Sequence, residues 1–170
     1  MMQLSWTVGR GLRSGVAALG LAAFGMVPVS FADDMSPAAE TRVVEAAFED
    51  VRFDVENAII NRGLVIDYVS HIGEMLARTG EDVGSGEQVF ARAEAMLFCS
   101  AALSRAAMEA DAGNIAFCPY SVFLYETPDA PGKVTVGYRR LPETGTEASR
   151  KALAAVNELL SGIVGEAAGE

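Results

Sequence analysis

A chain of 170 residues with 13 lysines and arginines against 23 acids, net charge −10, has no surplus of cations with which to neutralise a phosphate backbone. The same balance disfavours an anionic membrane surface and leaves solubility, with a weak pull towards cationic partners, as the main meaning of the charge. Half of the residues are apolar, enough for one core at single-domain length.

The chain begins with Arg10 and Arg13, an apolar run from Val16 to Val27, and Ser30-Phe31-Ala32 before two acids. This is the pattern of a secretory signal peptide over residues 1–32, with cleavage after Ala32. The apolar run is shorter than the roughly 20 residues that span a bilayer, although an uncleaved anchor is the alternative reading. The two arginines are not adjacent, so general rather than twin-arginine export is expected. No cysteine follows the cut to carry a lipid. A periplasmic protein, free of the membrane once cleaved, is the expectation.

Residues 33–41 are polar, include Pro37, and read as a tether to a single domain over 42–166. Arg42 to Phe48 is the first expected strand. Asp50 is placed to cap a helix in which Val51, Val55, Ala58 and Ile59 share a face, and Asn61-Arg62-Gly63 supplies its stop. Leu64 to Val69 reads as a strand, His71 follows it, and Ile72 to Arg78 as a short helical turn. Thr79 to Glu87 is an acidic glycine-rich loop; Gly84-Ser85-Gly86 lacks the Gly-Lys-Ser/Thr and the helix that a phosphate loop requires.

Ala93 to Phe98 is the next strand. Ser100 is placed to cap a helix from Ala101 to Ala110, closed by Gly113. Ile115 to Glu126 is the longest expected strand and pairs through the Thr127–Gly132 turn with Lys133 to Arg140, where Val134, Val136 and Tyr138 alternate with polar residues or glycine. Thr146 caps a last helix carrying Leu153, Val156, Leu160 and Ile163 on one face. The order predicts an α+β two-layer domain of βαβ4α type, with an antiparallel sheet and helices on one of its faces. The other face must be wet, covered by a loop or buried in a dimer; Phe123, Tyr125 and Tyr138 bear on that choice.

The helix stop at Asn61-Arg62-Gly63, the strand ending at His71, the Leu97-Phe98-Cys99-Ser100 turn, the Asn114 to Pro119 entry and the Val122 to Glu126 strand resemble, in order and spacing, the domain of unknown function 302 family. The resemblance covers roughly Val43 to Arg140. It implies a compact βαβ4α fold like the TATA-binding-protein class, often dimeric, and no agreed activity. Many members resemble Gly-Asn-Pro where this chain has Cys99-Ser100-Ala101, and Leu-Pro where it has Cys118-Pro119. The exported two-cysteine pattern is similar to a subset associated with sulfur and respiratory metabolism.

Cys99 and Cys118 flank one small helix in a chain read as exported, which favours a disulfide. Two buried thiols and a redox-active pair are the alternatives, the last because Cys99 immediately precedes a helix N-terminus. His71, at a strand end, is placed to pair with Glu74 or to reach the Cys99 turn; the plainer role is a hydrogen-bonded histidine that orders its loop. His71, Cys99, Ser100, Cys118, Pro119 and Tyr120 form the expected pocket. Arg105, Arg139 and Arg140 form a candidate anion grip, with ordinary solvated charges as the simpler reading.

Met75, Met96 and Met108 suit core packing better than copper ligation. Glu109 and Asp111 suit a solvated face better than a cation site. One histidine and two cysteines do not complete a zinc site, and no metal or other cofactor is expected. No nucleophile elbow, serine–lysine dyad, paired-carboxylate spacing or dinucleotide fingerprint is present. The expectation is a binding or accessory module, a homodimer or bound to another exported protein, without nucleic acid. A thiol redox or sulfur-carrier protein using Cys99 and Cys118, and an assembly module acting through the open sheet face, are the alternatives.

Overall fold

The computed structural model describes residues 38–170; the signal peptide and nearly all of the tether read from the sequence lie outside the described residues. Strand β1 (Ala39–Glu45) leads into helix α1 (Phe48–Ile60), then β2 (Ile66–Ser70), α2 (Ile72–Thr79), β3 (Arg92–Phe98), α3 (Ala101–Ala110), β4 (Tyr120–Glu126), β5 (Lys133–Arg139) and α4 (Glu147–Ala167). All neighbours in the sheet are antiparallel, in the order β1-β5-β4-β3-β2. This is the βαβ4α plan with α2 and α3 inserted. Strands β1 and β2 stand at opposite edges, and α1 crosses between them over one face.

The alternation of each strand decides its faces. Met96, Phe98, Tyr120, Val122, Leu124, Val134, Val136 and Tyr138 point inwards, against Val51, Val55 and Ile59 of α1 and Leu153, Val156, Leu160 and Ile163 of α4. These apolar faces exclude water together, and their burial is the main favourable term of the fold. At the end of α1, Gly63 takes φ +71°, and Arg62 donates to Ala58 O (2.7 Å), Gly162 O (3.0 Å) and Glu166 Oε2 (2.6 Å). One guanidinium thereby closes α1 and ties it to α4.

Several expected boundaries move. The first strand begins at Ala39, and Phe48 belongs to α1, where it is buried. Asp50 sits in the first turn of that helix instead of capping it; the cap position is Ala47, without a side-chain bond. Gly113 does not close α3: the helix ends at Ala110 with Asp111 as its extended C-cap, whose Oδ1 accepts from Gly113 N (2.8 Å) and opens a 3-10 turn over Ala112–Phe117. That turn takes the residues read as the start of the longest strand, so β4 begins only at Tyr120, after a cis Cys118-Pro119 peptide.

The second sheet face carries neither α1 nor α4. Across it lie Val43, Thr135, Phe123, Tyr125, Ala95, Leu97 and Tyr68, as the strand register dictates. Val43 and Tyr68 at the two edges are each 64% exposed. Phe90 packs on Tyr125 and Tyr125 stacks on Phe123, with centroids 5.3 and 6.3 Å apart. The Phe123 ring covers Gly137 on the adjacent strand, where any Cβ would come within 2.9 Å of it. Tyr138 is not on this face: it is buried in the core.

Candidate functional site

Two polar clusters sit at opposite ends of β3. At its C-terminal end, Phe98 is the register partner of Tyr120, so the residues just beyond the pair, Cys99 and Cys118, are brought together by the sheet itself. They form a disulfide, with Cα atoms 6.4 Å apart, around a loop of sequence separation 19. Ser100 caps α3 as expected, its Oγ accepting from Leu103 N (3.4 Å). Ser104, one turn later, brings its Oγ within 2.9 Å of the Tyr120 hydroxyl and 3.7 Å of Cys118 Sγ. Tyr120 is 2% exposed and meets Phe98 edge to face. Burial pushes its phenol above the ordinary range, against the opposing effect of the Ser104 hydrogen bond.

The insertion is anchored as well as stapled. Buried Asn114 donates to Ala107 O (2.8 Å) and Ser149 Oγ (2.9 Å), joining the 3-10 turn to α3 and α4. Oxidised sulfurs are neither thiolate nucleophiles nor thiolate metal ligands. As it stands, this end is a covalently closed lip with a small hydroxyl cluster beneath it.

His71 does not join it. The histidine lies at the other end of β3, facing Glu94, which precedes Phe98 by four residues, roughly 13 Å along the strand. The expected pocket therefore separates: Cys99, Ser100, Cys118, Pro119 and Tyr120 stay together, and His71 belongs to a second site. Its partner is neither Glu74 nor the Cys99 turn. Glu94 Oε1 lies 3.2 Å from His71 Nδ1, and its Oε2 accepts from Arg52 Nε (2.8 Å), while Arg52 Nη1 donates to Glu56 (3.1 Å). Burial opposes the Arg52 charge, but the Glu94 hydrogen bond and the fields of Glu56, Glu94 and Glu49 prevail and hold the guanidinium above its ordinary range.

The family model for the domain of unknown function DUF302 matches residues 40–166. The chain belongs to this family. A crystal structure of an uncharacterized conserved DUF302 protein from Bacillus stearothermophilus superposes with a TM-score of 0.62 at 13% identity, covering 76% of this chain and 98% of that one. At that identity the likeness establishes the shared fold. No curated protein matches the chain.

The expected anion grip of this DUF302 domain does not assemble. Arg105 pairs with Glu109 on the outside of α3, and Arg140 is held between Glu40 (3.1 Å) and Glu143 (3.4 Å). Arg139 is exposed at the end of β5. Two of the three guanidiniums thus spend their charge on carboxylates of the same chain. Asp111 serves as a cap, and Met75 is 42% exposed, whereas Met96 is fully in the core. Among the described residues no group of three or more histidine, cysteine, aspartate or glutamate side chains is arranged to hold a metal ion.

Sequence reasoning passes over Ser104, Glu94, Arg52 and Asn157. A signal exists for two of them. Glu94 shares the strand parity of Met96 and Phe98, so it is a charge on a buried face and requires a partner. Asn157 sits among Leu153, Val156 and Leu160 on the inner face of α4, and its amide clamps both backbone groups of Leu141 (2.8 and 2.9 Å). Ser104 and Arg52 carry no such mark, because only the packed tertiary structure supplies their partners.

Proposed function

We propose that this DUF302 domain is an exported accessory module that binds through its open sheet face, first of all to a second copy of itself. One observation carries the reading: both large helices cover one face of the sheet, while the other, closed over Ala93 and Ala95, keeps half-buried Phe123 and Tyr125 between exposed Val43 and Tyr68 at its edges. Exposed apolar side chains at both edges of an aromatic face are a mark of an interaction surface. A twofold pairing places the same row against itself, so one self-complementary patch serves both copies. The disulfide suits the oxidising compartment that the amino-terminal sequence implies. A role beside exported proteins of sulfur or respiratory metabolism follows the likeness of the two-cysteine pattern.

The experiment is the oligomeric state of the mature protein by analytical ultracentrifugation across a dilution series. A dimer is expected, and Tyr68→Arg with Val43→Arg should convert it to a folded monomer. A wild-type protein that is monomeric throughout would overturn self-association, and capture of another exported protein lost in the same variants would move the reading to assembly.

A second reading has a specific support. Ser104 Oγ is placed to donate to Cys118 Sγ, and Cys99 directly precedes the capped N-terminus of α3, so both sulfurs have groups that would stabilise a thiolate after reduction. In a thiol carrier, a dithiol reductant attacks one sulfur, forms a mixed disulfide and releases the other as thiolate; the reductant's second thiolate then resolves it. Exchange with dithiothreitol, followed by alkylation and mass spectrometry, tests it. A disulfide untouched by excess dithiothreitol in the folded protein removes this reading.

A further inference from the structure

His71 is the single histidine of the chain, and its ring is half exposed with only Nδ1 engaged among the described residues. Glu94, 11% exposed, accepts from Arg52 Nε through its other oxygen (2.8 Å). An ionised carboxylate can only accept a hydrogen bond, so in the neutral ring Nδ1 carries the proton towards Glu94 and Nε2 presents its lone pair. Free imidazole side chains favour the opposite tautomer. Glu94 and Arg52 therefore act as positioning residues that reverse it and fix the plane of the ring.

The ring borders a cleft of about 180 Å³ lined by His71, Gly73, Glu74, Arg92, Ala93 and Glu94. Its wall is close because the second residue of α2 is a glycine set against β3: a Cβ on Gly73 would stand 2.8 Å from Ala93 N. The space is below the roughly 300 Å³ at which drug-sized sites begin, so it suits a compact molecule. Charges around it are Glu94, Glu74, Glu56 and Glu49 against Arg52 and Arg92. Arg92 is spent on Glu49 and on the Phe48 ring beneath it, 4.5 Å to the centroid. Glu74 makes no ion pair among the described residues. The two acceptors left at the mouth are thus a fixed imidazole nitrogen and a carboxylate, in a surplus of negative charge.

We propose that this cleft is a ligand site, separate from the open sheet face and the disulfide, which takes a small protonated primary amine. One ammonium N–H is donated to His71 Nε2, another to the Glu74 carboxylate, and the positive charge offsets the acidic surplus. Anions are rejected by the same surplus.

The test uses the 15N-labelled protein with its disulfide intact. Long-range 1H–15N correlation spectra, recorded at a pH where the ring is neutral, read the tautomer of the one histidine directly, and Nδ1–H is expected. Titration with ethanolammonium chloride should move the His71 ring signals saturably, and sodium acetate at the same ionic strength should not. Glu74→Gln should weaken ethanolammonium binding by roughly fivefold, the range of an exposed charge pair. Glu94→Ala should return the ring to the Nε2–H form and weaken binding too. An Nε2–H tautomer in the wild type, ring signals that respond equally to acetate or to neither salt, or unchanged affinity in Glu74→Gln would each overturn the proposal. His71 and Glu74 are exposed, and the wild-type arms need no variant to fold.

Discussion

The two ends of β3 solve the same problem in different ways. Each is a strand end where the backbone leaves the sheet and must be held. The Cys99 end is closed by a disulfide and a buried Tyr120–Ser104 hydrogen bond. The Glu94 end is held around one carboxylate, with His71 on one oxygen and Arg52 on the other. A sealed end keeps its polar atoms for itself, whereas the ion-paired end leaves Nε2 of a half-exposed ring unengaged. The contrast teaches that the cysteines, the most conspicuous residues of the sequence, mark the better closed of the two sites.

Removing the staple should produce the largest effect. Cys99→Ala with Cys118→Ala is expected to lower unfolding stability by about 3 kcal/mol, from the loss of loop-closure restraint on the unfolded chain. Urea denaturation measures it, and the His71 ring signals should not move, because the two ends are held independently. Equal stability in the double variant would show that Asn114 and the Tyr120–Ser104 pair hold this end without the bond.

The buried hydroxyl comes next. Tyr120→Phe should cost about 1 to 1.5 kcal/mol at neutral pH by removing the 2.9 Å hydrogen bond to Ser104. Its pH dependence has a definite sign. The folded phenol lies above its ordinary value because burial disfavours the anion. The stability this confers is complete below the unfolded value of about 10 and is lost as pH rises through the higher folded value, since the unfolded chain releases the proton first. Wild-type urea midpoints should therefore fall more steeply above pH 10 than those of Tyr120→Phe. Tyr138, raised by burial and by the neighbouring Glu40 carboxylate, contributes in the same direction in both proteins. Parallel profiles would mean that Tyr120 is already open to solvent.

The charged end is expected to be the more forgiving. Glu94→Ala should cost about 1 kcal/mol, because Arg52 retains Glu56 and is partly solvated. His71→Ala should change stability by less than about 0.5 kcal/mol, the usual range for an exposed side chain. A loss as large as that of the disulfide variant would reverse the comparison and make His71 a structural residue.

Apolar periodicity alone determined much of this protein. The alternation of Val134, Val136 and Tyr138, the helical spacing from Val51 to Ile59 and from Leu153 to Ile163, and the caps at Ser100 and Thr146 recur in the structure because each is a local rule enforced by burial of one face. The α+β class follows from their order, and so does the closeness of the cysteines on either side of a short returning helix. Boundaries moved where a side chain chose between local partners: Asp111 took Gly113 N and made a turn of what composition reads as strand. The site was decided in three dimensions. Register sets Phe98 against Tyr120 and puts Ser104 under the disulfide, and the same register carries His71 to the far end of β3, where Glu94 and Arg52 await it. Which residues meet across a sheet is set by strand order and pairing, long-range choices that no local pattern in the chain encodes.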